Sequence, residues 1–204
     1  MITQEITSRA YSYVSYRELI NHLVAENKTS GEKQTPARIE FTNLNIHRMN
    51  RLDKTIQLQP ELVQTIQKMK CKQTWLVLSE PWCGDSAQII PSLEKMAISS
   101  IGKIELKILF RDENPLVMDC VLTNGTRSVP KIIAVDSESL ELLGTWGPRP
   151  NPAQQIMLHW KANQDKISWD DFEKELHTWY AHDKSQTIQK EFISVIEEWT
   201  KILC

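Results

Sequence analysis

The segment Trp82-Cys83-Gly84-Asp85-Ser86 constrains this chain most, because of what stands on either side of it. Thr74-Trp75-Leu76-Val77-Leu78-Ser79 is short, apolar and rich in β-favouring residues, and reads as a buried strand. After the segment, Ile89, Ile90, Leu93, Met96 and Ala97 recur at helical spacing. Cys83 therefore sits in a turn from strand into helix. Unpaired backbone N–H groups and the positive end of the helix dipole point at its sulfur, a setting that favours thiolate over thiol. The thiolate is the nucleophile of disulfide exchange. The pattern predicts a redox cysteine more acidic than the ~8.5 of a free thiol.

The rest of the chain surrounds this junction with helices. A helix is predicted around 13–26 from the stripe Tyr16, Leu19, Ile20, Leu23 and Val24, followed by a polar linker over 27–36. Helices over 40–53 and 60–70 come next, then strand 74–79, helix 84–98, strand 104–110 and helix 115–122. Strands 131–136 and 140–146 and a helix over 152–163 follow the Asn124-Gly125 turn. The order is βαβ, a helix, a β-hairpin and a closing helix, an α/β arrangement with a central mixed sheet flanked by helices. The tail from 168 to 203 reads as helix, with a break at His182-Asp183-Lys184-Ser185. Trp169, Phe172, Leu176, Trp179 and Tyr180 form one apolar stripe, and Phe192, Val195, Ile196, Trp199 and Ile202 another. Such stripes read first as intramolecular core, with a homodimer interface as the alternative.

Composition narrows the function classes. A formal charge of −2 gives no reason to expect nucleic acid or an anionic membrane as partner. The first residues carry neither a basic leader nor an apolar core, and no apolar run is long enough to span a bilayer, so a cytoplasmic protein is expected. The five histidines are scattered without metal-ligand spacing, so no metal site is expected, and glycine is too sparse for a phosphate loop. Of the four cysteines, only Cys83 has a reactive setting. Cys71 lies a strand's length away, Cys120 falls among apolar helix positions and reads as core, and Cys204 is the terminal residue. Cys204, on a free tail, is the best placed of the three to reach Cys83.

Trp-Cys-Gly-x between a strand and a helix resembles the active-site motif of the thioredoxin superfamily. Pro91, eight residues after Cys83, matches the family's helix-kinking proline, and Arg127-Ser128-Val129-Pro130-Lys131-Ile132-Ile133-Ala134-Val135 resembles its cis-proline loop running into a strand. The three matches cover about residues 60–150. The Trp82-Cys83-Gly84-Asp85 wording and Trp146-Gly147-Pro148-Arg149-Pro150 resemble a bacterial subgroup with added helices. The resemblance implies a thioredoxin-like fold in 60–165, an N-terminal helical extension over 1–59 and a C-terminal one over 166–204 packed on the same domain. It implies a cis Val129–Pro130 bond beside Cys83, where an extended substrate would pair. Local sequence alone fits a trans proline opening a strand equally well.

Two departures alter the chemistry. Ser86 stands where the family has its resolving cysteine, and Val77 where it has a buried aspartate. The nucleophile carries over; the dithiol cycle does not. The leading expectation is a monothiol Cys-x-x-Ser thiol–disulfide oxidoreductase, with Cys83 and Ser86 catalytic and Trp82, Gly84, Asp85, Val129 and Pro130 contacting substrate. Its partners are disulfide-bonded or S-thiolated proteins, with a low-molecular-weight thiol as co-substrate and no bound cofactor. Ser86 is expected to donate its hydroxyl to the thiolate, and Asp85 to be an exposed, screened carboxylate suited to a helix start. Trp82, Trp146, Pro148 and Arg149 would shape the rim, Trp146 being equally suited to the core. The alternative is a non-catalytic protein-binding module of the same fold; iron–sulfur carriage, suggested by a likeness to monothiol glutaredoxins, ranks last because Asp85 replaces their usual phenylalanine.

Overall fold

In the computed structural model, which describes residues 2–203, the chain begins with α1 (Gln4–Arg9), α2 (Tyr13–Ala25), α3 (Pro36–Thr55) and α4 (Pro60–Lys68). The central stretch follows as β1 (Gln73–Ser79), α5 (Gly84–Ser99), β2 (Ile104–Phe110), α6 (Pro115–Asp119), β3 (Lys131–Asp136) and β4 (Leu142–Trp146). It closes with α7 (Asn151–Ala162), α8 (Trp169–Asp183) and α9 (Gln186–Leu203).

Every residue of β1 is buried, which requires cover on both faces of the sheet. Successive side chains of a strand point to opposite faces. Trp75 and Val77 thus enter the larger core with Tyr16, Ile20, Leu62, Met96 and Phe192. Leu76 and Leu78 enter a smaller one with Ala10, Val117, Met118, Ile133 and Val135. The strand order is β2-β1-β3-β4, with β1 and β2 parallel and β3 antiparallel to both β1 and β4. The outer side of β2 is partly covered, because Tyr11 exchanges two 2.8 Å backbone hydrogen bonds with Ile108. That removes part of an exposed sheet edge.

The terminal helices share the larger core with the sheet. Tyr16 and Ile20 of α2, Met49 of α3 and Leu62 and Ile66 of α4 belong to it, as do Ile188, Phe192, Ile196 and Trp199 of α9. Trp199 lies so close to β4 that a Cβ on Gly144 would fall 2.1 Å from its Nε1. The α9 stripe is therefore core of the same chain, except Ile202, which is exposed. In contrast, α7 and α8 build a separate cluster from Ala153, Phe172, Leu176 and Tyr180, flanked by Met157, Trp160 and Trp179. Lys184, with left-handed backbone at φ 51, ends α8 and separates it from α9.

Several sequence expectations are corrected. α1 was not anticipated; Thr3 caps it through its hydroxyl. α3 begins at Pro36, four residues before the expected start, because Thr35 caps it and proline suits a first helical position. α6 stops at Asp119, which leaves Cys120 exposed rather than in the core. β4 starts at Leu142 because Leu140 adopts a left-handed turn conformation, φ 60. The polar linker over 27–36 is anchored at two buried residues: Thr29 bonds Thr42 at 2.7 Å, and Ser30 donates to buried Glu80. Cys204 lies outside the described residues. Among the described residues, no helix is long and apolar enough to cross a membrane.

Candidate functional site

Cys83 is the N-cap of α5, with extended backbone at φ −81 and ψ 117. An N-cap side chain accepts from the free N–H groups of the first turn, and here the sulfur accepts from the Ser86 amide at 3.5 Å. Its S–H donates to the Val129 carbonyl at 3.3 Å. The Val129–Pro130 bond is cis, and β3 begins at the next residue. The junction after β1 and the loop before β3 meet at this sulfur because β1 and β3 are antiparallel neighbours, with Leu78 opposite Lys131.

Gly84 and Asp85 are committed to the α7–α8 hairpin. A Cβ on Gly84 would lie 2.7 Å from His177 Cε1 and 2.8 Å from Nε2, so only glycine leaves room for this α8 ring. Asp85 is buried rather than exposed. Its Oδ2 accepts from Arg149 Nε at 3.0 Å and from Nη2, and its Oδ1 from Tyr180 OH at 2.7 Å. Arg149 also donates to Gln154 of α7 at 3.0 Å. Gly147 makes this reach possible: at φ 116 it passes over the Pro130 loop, where a Cβ would meet the Pro130 carbonyl oxygen at 2.4 Å. Asp85 thus ties β4's exit and α8 to the residue two after the sulfur. These polar partners stand 64 and 95 positions away in the chain, and nothing in the local sequence pairs them.

A cleft of about 330 Å³ opens over Cys83. Trp82, Gly84, Asp85 and Val129 line it with Cys83, and so do residues of α3, α7 and α8. Of the remaining expected site residues, neither Ser86, which is buried, nor Pro130 lines the cleft. Trp82 lies under two guanidinium groups, Arg38 at 4.3 Å and Arg111 at 5.1 Å from its ring centroid. Arg149 lies mostly buried against Asp85, and Trp146 packs on Phe192 of the main core, so neither is a simple rim residue. Sequence reasoning missed His177, Tyr180 and the α7 residues of the cleft.

Electrostatics overturns the expected acidic thiol. Burial, with the Asp85 carboxylate beside it, pushes the Cys83 thiol up to about 11. The Ser86 groups and Arg149 pull the other way but do not prevail. Helix-terminus stabilisation of a thiolate presumes a sulfur that water can reach, and Cys83 is only 9 % exposed. The Ser86 hydroxyl, although near enough to lower the thiol pKa, makes no hydrogen bond of good geometry. Burial, reinforced by Arg48, holds His177 down to about 4, so it is neutral at pH 7, and its buried Nδ1 has no hydrogen-bond partner. Among the described residues, no group of three or more His, Cys, Asp or Glu is arranged to hold a metal ion.

With this geometry in view, comparison with known proteins is decisive at the level of family. A family model described as thioredoxin matches residues 21–189. The chain belongs to the thioredoxin family. Its fold is a thioredoxin-like mixed sheet with additional helices at both ends. Among solved structures, a protein of unknown function from Pseudomonas aeruginosa is similar at 16% identity and TM-score 0.62, covering 97% of this chain and 98% of that one. An HIV epitope scaffold is similar at 20% identity and TM-score 0.51, covering 92% and 98%. At these identities the likeness is one of fold. No curated protein matches this thioredoxin-family chain.

Proposed function

We propose that this thioredoxin-family protein is a monothiol thiol–disulfide oxidoreductase acting through Cys83. The observation that carries the reading is that Cys83 is the only cysteine lining the cleft among the described residues. Cys71 precedes β1, whose seven residues hold it about 20 Å from the sulfur, and Cys120 is exposed beyond α6. Ser86 supplies an amide and a hydroxyl, not a second sulfur.

In the proposed cycle, Cys83 Sγ attacks one sulfur of a disulfide R–S–S–R′ and forms Cys83–S–S–R. The bond between the two substrate sulfurs breaks, and the leaving thiolate takes up a proton equal to the one lost by Cys83. An external small thiol R″–SH then attacks the mixed disulfide, releases R–S–S–R″ and returns a proton to Cys83. A second external thiol completes reduction of that product. Such a cycle draws on a reducing small-thiol pool, which suits a cytoplasmic setting. The Ser86 amide and the Val129 carbonyl both bond the sulfur at the cleft, and the thiol's high pKa leaves only a small fraction of Cys83 as thiolate at pH 7. Once formed, a thiolate of high pKa is a strong nucleophile.

The same high pKa favours a second reading, a binding module of this fold that turns over little. Intact-mass analysis of protein isolated from cells without reductant separates the two. The oxidoreductase reading expects a small-thiol adduct on Cys83 that dithiothreitol removes and that Cys83→Ser lacks. A reduced Cys83 throughout, with no adduct after exposure to small disulfides, would leave the binding module.

A further inference from the structure

The α7–α8 roof narrows what can reach Cys83. Phe41 of α3, Met157 and Leu158 of α7 and Trp169 and Phe172 of α8 wall the cleft with apolar surface. Its volume of about 330 Å³ matches the lower end of small-molecule sites, ~300–1,000 Å³. A protein disulfide presents a different problem. An extended substrate strand pairing beside Val129 needs an open lane one strand wide, ~4.8 Å between backbones plus its side chains. Residues of α7 and α8 share the cleft with Ser128 and Val129, and the Val129 carbonyl already accepts from Cys83.

Charge selects further. Asp85 in the cleft is paired with Arg149; burial pushes the Glu173 carboxyl up, opposed by the charge of Arg48, with which it forms no ion pair among the described residues. Lys161 of α7 also lines the cleft, is exposed, and forms no ion pair among the described residues. We propose that the disulfide partner of Cys83 is a small organic molecule with an apolar body and a carboxylate, not a folded protein. The carboxylate meets Lys161, and the body lies against Met157, Trp169 and Phe172 while one of its sulfurs reaches Cys83. This rests on Cys83 being the exchanging thiol, and the bonds made and broken are those of the cycle above.

The test uses full-length protein in which Cys71, Cys120 and Cys204 are serine, so that Cys83 alone reacts. Two small aromatic disulfides are compared under stopped flow: dithiobis-nitrobenzoate, with a carboxylate on each half, and dithiodipyridine, smaller and uncharged, each referred to its own response to Lys161→Glu. Insulin with dithiothreitol is the protein arm. The expected result is a rate that saturates with dithiobis-nitrobenzoate concentration, and no insulin reduction above the uncatalysed rate. Lys161→Glu should then raise the half-saturating concentration of the carboxylated reagent roughly fivefold more than that of the uncharged one, the scale of an exposed ion pair. Rates strictly proportional to reagent, equal effects of Lys161→Glu on both reagents, or insulin turnover matching the small disulfides would each overturn the proposal. If the native protein reacts with neither reagent while the urea-unfolded protein reacts with both, it is the reading of Cys83 as an exchanging thiol that fails, and this proposal falls with it.

Discussion

α8 and α9 follow one another in the chain, carry similar aromatic stripes, and do different things. Phe192 and Trp199 of α9 close on Trp75 of the central strand, at centroid distances of 5.3 and 5.7 Å, and belong to the main core. Phe172 and Tyr180 of α8 pack on α7 instead, in a cluster of their own, and reach the rest of the molecule at the cysteine motif. The apolar period says that each helix buries a face; it does not say against what. The deciding signal is polar. Tyr180 and His177 of α8 meet Asp85 and Gly84, whereas the core-facing residues of α9 are apolar apart from Gln189, which bonds the chain ahead of α4. One helix completes the fold, and the other roofs the site.

Two substitutions sharpen this contrast. Trp199→Ala removes a fully packed indole from the main core and should cost about 3–5 kcal/mol of global stability, read from urea unfolding. Tyr180→Phe leaves one Asp85 oxygen without its hydroxyl donor in a buried setting and should cost about 1–3 kcal/mol. Its loss should lower the urea midpoint less than Trp199→Ala does and appear chiefly as faster Cys83 alkylation, because Tyr180 belongs to the separate α7–α8 cluster. Equal effects of the two variants on both readouts would erase the distinction between the helices.

Acid acts on the roof through His177. His177 has a folded pKa of about 4, below the ~6.5 of an unfolded histidine. The closed hairpin therefore resists a proton that the open one accepts. Docking is at full strength above pH ~6.5 and weakens as pH falls toward 4. Fluorescence of the hairpin tryptophans Trp160, Trp169 and Trp179 should change over that window, and His177→Gln should flatten the change. On the alkaline side, Cys83 alkylation should still be climbing at pH ~10, since burial holds the thiol near 11. A plateau near pH 8 would show a thiol more acidic than this structure permits.

What could be read from the sequence was whatever is written locally. The run Thr74–Ser79 and the helical spacing after Gly84 carry their own periods and place the sulfur at a strand-to-helix turn, whereas the position of the Val129-Pro130 loop beside it followed only from the family resemblance. What was not legible depends on pairs far apart in the chain. Asp85 looks like an ordinary first-turn acid until Arg149 and Tyr180 arrive from later elements, and Ser30 looks like linker until it meets Glu80. The thiol's acidity is hidden for the same reason: the helix start is local and visible, but the sulfur is buried by Leu78, Val117, Met118 and Val129 from several elements, and Asp85 is held beside it by Arg149 and Tyr180.

The central claim is that α7 and α8 form a separately opening roof over a reactive Cys83. Alkylation of the Cys83-only protein by a maleimide carrying a bulky chain too large for the closed cleft, measured across sub-denaturing urea, tests it most directly. The account predicts that Cys83 is labelled through an opening cheaper than global unfolding, with a weaker urea dependence. Tyr180→Phe should make that opening easier still, and Trp199→Ala should leave it nearly unchanged until the global transition is reached. Labelling of Cys83 only at the free energy and urea dependence of global unfolding, with both variants moving it alike, would contradict the claim.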